Sequence, residues 1–168
     1  MTKEEFIEII TKCQTGDKKA IGVIYEEYFG RMCVTAFGVV SDMDAAYDIA
    51  SNVILKLLEF RCGISDIENP VGYMFRMVHN EAVNYVAKKN REISVPEIWN
   101  VKSNNMPDML WLEDILAVLT DKERELFILH IVWDMPLKRV AKQLGITYDA
   151  AKSRFKVIRA KIKNIYKK

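Results

Sequence analysis

Four cations, Lys152, Lys156, Arg159 and Lys163, recur at intervals of four, three and four residues near the end of the chain. At about 100° per residue this spacing gathers them into one stripe of a helix, a surface suited to the phosphates of a polyanion. They lie in a stretch, 137–168, that holds 11 basic residues against one acid, Asp149. A second strip, Arg76, Asn80, Asn84 and Lys88, recurs every fourth residue and so drifts only about 40° per step on a helix. An arginine and two amides in line can hydrogen-bond bases and phosphates, and Lys88, Lys89 and Arg91 add cations at the end of the strip. The plain alternative is a solvated polar face, and spacing alone favours it. Metal and catalytic chemistry find no support. His79 and His130 have no Cys or Asp arrangement nearby, and Cys13, Cys33 and Cys62 have neither a paired nor a zinc-finger spacing. A Gly-rich phosphate loop, a nucleophile elbow and a zinc-protease motif are all absent from the sequence. The expectation is a protein that is not an enzyme and uses no cofactor and no metal.

The elements that must position these strips are helices. The chain has 168 residues, 50% of them hydrophobic and 29% charged, with only seven glycines and four prolines, a globular and helix-compatible composition. No apolar run approaches the roughly 18 residues of a membrane span, and the first residues lack the apolar core of a signal peptide, so a soluble cytoplasmic protein with reduced thiols is expected. Thr2 with Glu5 predicts a capping box, followed by a stripe of Phe6, Ile9, Ile10 and Cys13. Asp17 predicts the cap of a longer helix with Ile21, Ile24, Tyr25, Tyr28 and Met32 on one side. Residues 41–44 signal another start, leading into Ile49, Ala50, Val53, Ile54, Leu57 and Leu58. Residues 61–69 read as a loop, and Asn69-Pro70 opens a helix running to about Lys89.

From Ile93 to Met109 the periodicity fails among Ser, Asn and Pro, with Ile98 and Trp99 as apolar exceptions. It resumes at Leu112, and Thr120 to Glu123 forms a second capping box. Charge divides the same way. Residues 1–92 carry a net −3, residues 93–112 a net −1 and residues 113–168 a net +6. The predicted class is all-α: two small helical domains, 1–92 and 112–168, joined by a flexible linker at 93–111.

The last of these elements form a helix-turn-helix pattern. Leu137, Val140, Ala141 and Leu144 make the buried face of a short helix, Gly145 supplies the positive φ of a sharp turn, and Thr147 caps the next helix. Ala151, Phe155, Ile158, Ile162 and Ile165 then form an apolar stripe centred about 110° from the cation stripe. One face packs and the neighbouring face presents charge, which is the geometry of a recognition helix in a DNA major groove. Lys152 and Arg154 become candidates for base edges or flanking phosphates, and the later cations for phosphates. An ordinary three-helix core with a basic skin is the competing reading.

Residues 112–165 resemble the promoter-reading C-terminal domain of bacterial RNA polymerase sigma factors, especially the small extracytoplasmic-function (ECF) group. The matching residues are Leu112-Glu113-Asp114, Glu123-Arg124-Glu125, Val140-Ala141, Leu144-Gly145-Ile146 and Ala151-Lys152-Ser153-Arg154-Phe155. Gly16-Asp17, Ala20, Ile24-Tyr25, Tyr28, Asp44-Ala45, Asp48-Ile49, Asn69-Pro70, Tyr73, Arg76 and Asn80 resemble the other domain of that group. The resemblance implies that 1–92 binds core polymerase and the minus-ten promoter element and that 112–168 reads the minus-thirty-five element. It implies contacts to the polymerase clamp from Asp48, Ile49, Asn52, Val53 and Lys56, and to the flap. Minus-ten contacts would come from Arg76, Asn80, Asn84 and Lys88, with a flipped-base pocket at 61–68. Minus-thirty-five contacts would come from Tyr148, Asp149, Lys152, Ser153, Arg154, Lys156 and Arg159. An anti-sigma factor is a further implied partner. Tyr73 and Phe75 read as packing residues in preference to stacking ones. The sequence departs from the family pattern at Ala50-Ser51-Asn52, at Lys138-Arg139, and at Pro136 in place of a Ser or Thr cap. Two other functions stay open on the sequence: a stand-alone helix-turn-helix regulator, and a polymerase-binding regulator that does not initiate.

Overall fold

The computed structural model describes residues 2–59, 64–91 and 110–166, and every regular element among them is helical. The chain divides into two compact units, Met1–Lys102 and Ser103–Lys168. The expected tether residues 93–109, including Ile98 and Trp99, and Arg61, Cys62 and Gly63 of the expected base pocket lie outside the described residues.

In the first unit α1 (Lys3–Gln14) starts at the predicted capping box. The Thr2 backbone N–H donates to Glu5 Oε2 at 2.7 Å, and the Glu5 N–H to Thr2 Oγ1 at 3.2 Å. Gly16, at φ +84°, turns the chain into α2 (Lys18–Val40). Asp17 Oδ1 caps that helix by accepting from Lys19 N–H at 2.9 Å, which satisfies a donor with no partner inside the helix. Asp42 caps α3 (Met43–Glu59) by accepting from Ala45 N–H at 3.1 Å. The loop after α3 contains a short 3₁₀ turn, Ile64–Asp66. Asn69 Oδ1 then accepts from Gly72 N–H at 3.2 Å at the start of α4 (Pro70–Arg91).

The long α2 packs against α1, α3 and α4, so it forms the centre of the unit. Phe6, Ile10, Ile24, Tyr28, Met32, Val53, Leu57, Met74 and Val78 meet there, each buried. Tyr25, expected on the inner side of α2, is instead exposed and stacks on Phe29 with ring centroids 4.3 Å apart, its hydroxyl 3.2 Å from that of Tyr47. Cys13 and Cys33 are buried free thiols, and burial pushes the Cys33 pKa up to about 12, which leaves it unreactive.

The second unit is built from α5 (Leu110–Ala117), α6 (Asp121–Phe127), α7 (Leu137–Gln143) and α8 (Tyr148–Ile165). α5 begins two residues inside the stretch read from sequence as tether. α6 continues into a single π-helical stretch, Ile128–Val132, in which Trp133 N–H reaches back to Ile128 O at 3.0 Å. A residue inserted into a helix in this way re-aims the chain beyond it. Here Asp134 takes φ +51°, and the His130 Nδ1–H donates to Met135 O at 2.8 Å, tying the turn before α7. Leu112, Leu116, Leu126, Leu129, Trp133, Val140, Ala151 and Ile158 fill the core of the unit. Among the described residues no buried side-chain nitrogen or oxygen lacks a partner.

Candidate nucleic-acid interface

The turn between α7 and α8 is the local feature on which the second unit's geometry depends. Gly145 has φ +65°, a conformation that costs an L-residue roughly 1–2 kcal/mol. Ile146 N–H bonds back to Ala141 O at 3.0 Å, closing the end of α7. Thr147 Oγ1 accepts from Ala150 N–H at 3.2 Å and starts α8 as expected. The apolar stripe then docks. Ala151 and Ile158 are fully buried, while Phe155, Ile162 and Ile165 are half-buried at the margin. The ring of His130 meets Phe155 edge to face at 4.7 Å.

Docking by this stripe leaves Tyr148, Asp149, Lys152, Ser153, Lys156 and Arg159 exposed, and Lys163 with them. Arg154 departs from this group. It is half-buried, and at i, i+2 from Lys152 it points roughly 200° away around α8. The two residues therefore occupy opposite flanks of the helix and cannot read one base pair together.

Lys161 shares the Arg154 flank, and its role is structural. Its Nζ donates to Glu123 Oε2 at 2.6 Å, linking α8 to the first turn of α6. Glu123 is buried, and the same oxygen accepts from the Thr120 N–H at 2.8 Å and from the Thr120 hydroxyl at 3.0 Å. The hydrogen bond from Lys161 holds the Glu123 carboxyl below its ordinary pKa, with burial opposing. The predicted capping box thus doubles as the anchor for α8. The capping part is visible in the sequence, whereas the Lys161 partner, 38 residues away, carries no local signal.

On α4, Arg76, Asn80, Asn84 and Lys88 are all exposed and follow one another along the side opposite the buried Met74, Val78 and Ala82. Tyr73, half-buried, lies one turn before Arg76–Met77 at the head of this strip. Phe75 does pack: it is buried and stacks on His79 at 5.8 Å. Of the expected pocket loop only residues 64–68 are described, and there Ile67 is buried and Glu68 bonds Lys3 at 2.6 Å.

On α3 the expected polymerase contacts divide between core and surface. Ile49 and Val53 are buried, at 3% and 0% exposure, and belong to the core against α2, so they cannot meet a partner while the unit is folded. Asp48, Asn52 and Lys56 are exposed, and Lys56 forms an ion pair with Glu81 of α4. The outer face also holds Asp44, Glu59 and Leu55, which is 56% exposed. Leu55 lies off the apolar stripe of Ile49, Val53 and Leu57 that the sequence predicts, and its exposure agrees with that spacing. Ser51 turns its hydroxyl inward to Tyr47 O at 3.0 Å.

Residues 109–162, which include all of the second unit's helices up to most of α8, match the family model "Sigma-70, region 4". No curated protein matches the chain. Among solved structures, that of CnrH in complex with the cytosolic domain of CnrY is similar at a TM-score of 0.60 and 15% identity, covering 95% of this chain and 95% of that one. That likeness is one of fold and spans both units. Among the described residues no helix is long and apolar enough to cross a membrane, and no cluster of His, Cys, Asp or Glu could hold a metal ion. The C-terminal unit thus matches a sigma-70 region 4 domain, and the chain as a whole shares the fold of CnrH.

Proposed function

We propose that this chain is a promoter-specificity subunit that binds core RNA polymerase and reads two DNA elements, one with each unit. The observation that carries the reading is α8, whose apolar face is packed and anchored through Lys161 while Lys152, Lys156 and Arg159 stay exposed, inside a matched region 4 domain. α8 enters the minus-thirty-five major groove by its N-terminal end. Lys152 and Arg154, on opposite flanks, then address opposite walls of a groove about 12 Å wide. Tyr148, Asp149 and Ser153 reach base edges, and Lys156 and Arg159 meet phosphates further along.

The first unit supplies the other two functions. The outer face of α3, with Asp44, Asp48, Asn52, Leu55 and Glu59, docks on the polymerase clamp. Ile49 and Val53 keep that face rigid from behind. The strip Arg76, Asn80, Asn84 and Lys88 meets the minus-ten element, with Tyr73 at its head as a stacking surface for an unpaired base. Extruding a base costs a few kcal/mol, which stacking and edge hydrogen bonds must recover. The stretch at 93–109 serves as the tether, the polymerase performs all the chemistry, and the protein acts in the cytoplasm. CnrH was solved with the cytosolic domain of CnrY, and by analogy an anti-sigma protein is a partner of this chain as well.

Size-exclusion chromatography with bacterial core polymerase tests the polymerase part without knowledge of the promoter. Stable co-elution supports the reading. A chain that elutes alone as a dimer contradicts it and favours a stand-alone regulator.

A further inference from the structure

α7 carries three cations to which the proposed function gives no work. Lys138, Arg139 and Lys142 are all exposed, and at about 100° per residue they fall within one sector roughly opposite the buried Val140 and Ala141. Among the described residues none of the three has an acidic partner, whereas Lys3, Lys12, Lys56, Lys161 and Arg124 each do. The sequence offers almost nothing to neutralise them locally, since Asp149 is the only acid between 137 and 168. Concentrating unpaired cations on a seven-residue helix raises its self-repulsion, and a polyanion relieves that repulsion.

The position of α7 identifies the polyanion. A short turn joins it to α8, the two helices pack against each other, and a helix in that place crosses the phosphate backbone when its partner lies in the major groove. Resting on the reading of α8 as the groove helix, we infer that Lys138, Arg139 and Lys142 form a second phosphate-binding surface, strong enough for the free chain to bind duplex DNA without polymerase. Binding of this kind follows counterion release. It is nearly independent of sequence, and each phosphate neutralised adds about 0.9 to the slope of log K against log salt.

The test is fluorescence anisotropy of the full chain alone on a 30-base-pair duplex of arbitrary sequence, across a salt series. The comparison is the triple variant Lys138→Gln, Arg139→Gln, Lys142→Gln, in which glutamine keeps helix propensity and removes charge. Circular dichroism shows whether its helices are retained. The expected result is measurable binding by the wild type. For the variant it is a slope shallower by about 2–3 and at least a tenfold loss of affinity near 0.1 M salt. If the triple variant loses helix content, the single Arg139→Gln variant is read instead, with a slope change of about 1 expected.

Wild-type slopes matched by the variant overturn the inference, as does a wild type that binds no duplex alone. Unchanged DNA binding with lost polymerase co-elution would move this face to the polymerase and also overturns it. So does tighter wild-type binding to phosphatidylserine vesicles than to the duplex. Polymerase co-elution of the wild type, measured separately, distinguishes failure of this inference from failure of the proposed function.

Discussion

Lys152 and Arg154 sit on opposite flanks of α8, so their substitutions should differ in kind. Lys152→Ala is expected to cost about 1–3 kcal/mol of promoter discrimination if it meets a base edge. Arg154→Ala should weaken binding evenly across sequences if it meets a phosphate. Competition binding of holoenzyme to promoter variants separates the two, and a sequence-independent loss for both would remove base readout from Lys152. Asn80→Ala should slow open-complex formation while leaving polymerase binding intact, as followed by permanganate reactivity of unpaired thymines. Normal opening in that variant would take Asn80 off the minus-ten surface. The α8 cation stripe is legible in the sequence because charge and 3.6-residue periodicity coincide there. The separation of Lys152 from Arg154 rests on the same periodicity. Read as a motif, Lys-Ser-Arg obscures it, because neighbours in a motif need not be neighbours on a helix.

Four helices of this chain, α1, α2, α4 and α8, begin where their sequences say they begin. Thr2, Asp17, Asn69 and Thr147 each supply an oxygen to an orphan N–H, and capping depends on two or three adjacent residues. What a helix face touches depends on partners distant in sequence, and there the sequence is less informative. Ile49 and Val53, implied as contacts by the resemblance, are core, while Leu55, off the apolar stripe, faces outward. Ile49→Ala should therefore destabilise the first unit by about 2–4 kcal/mol in urea unfolding. Leu55→Lys should leave stability within about 0.5 kcal/mol and weaken polymerase co-elution, because exposed positions tolerate substitution. The reverse pattern would make Ile49 the polymerase contact and Leu55 a core residue. The Glu123–Lys161 pair makes a prediction in pH. Because the folded carboxyl is held below its ordinary value, its contribution is present above the usual carboxylate pKa of about 4.3 and is lost as pH falls through the folded value. Lys161→Met should lower stability at neutral pH by about 1–3 kcal/mol, the cost of depriving a buried carboxylate of a charged donor. That deficit should shrink as the pH is taken below about 4.3. A deficit independent of pH would assign the loss to packing alone.

At the scale of the molecule, two helical units of opposite net charge carry separate surfaces. The N-terminal one offers an acidic outer face on α3 and an amide-rich strip on α4, and the C-terminal one a basic helix-turn-helix. The division into two helical parts is legible because the periodicity lapses between Ile93 and Met109 while the charge changes sign across that stretch. The π-helical stretch at Ile128–Val132 is not, since a one-residue insertion leaves the apolar pattern on either side intact. Each surface alone fits several functions, and their conjunction in one chain is what points to transcription initiation. The most direct test of that claim is run-off transcription from fragmented genomic DNA of the source organism, with core polymerase alone and with the protein added. The account predicts discrete transcripts that require the protein and disappear with Lys152→Ala or Asn80→Ala. Co-elution with polymerase but no protein-dependent transcript from any fragment would contradict it and make the chain a regulator that occupies the polymerase without initiating.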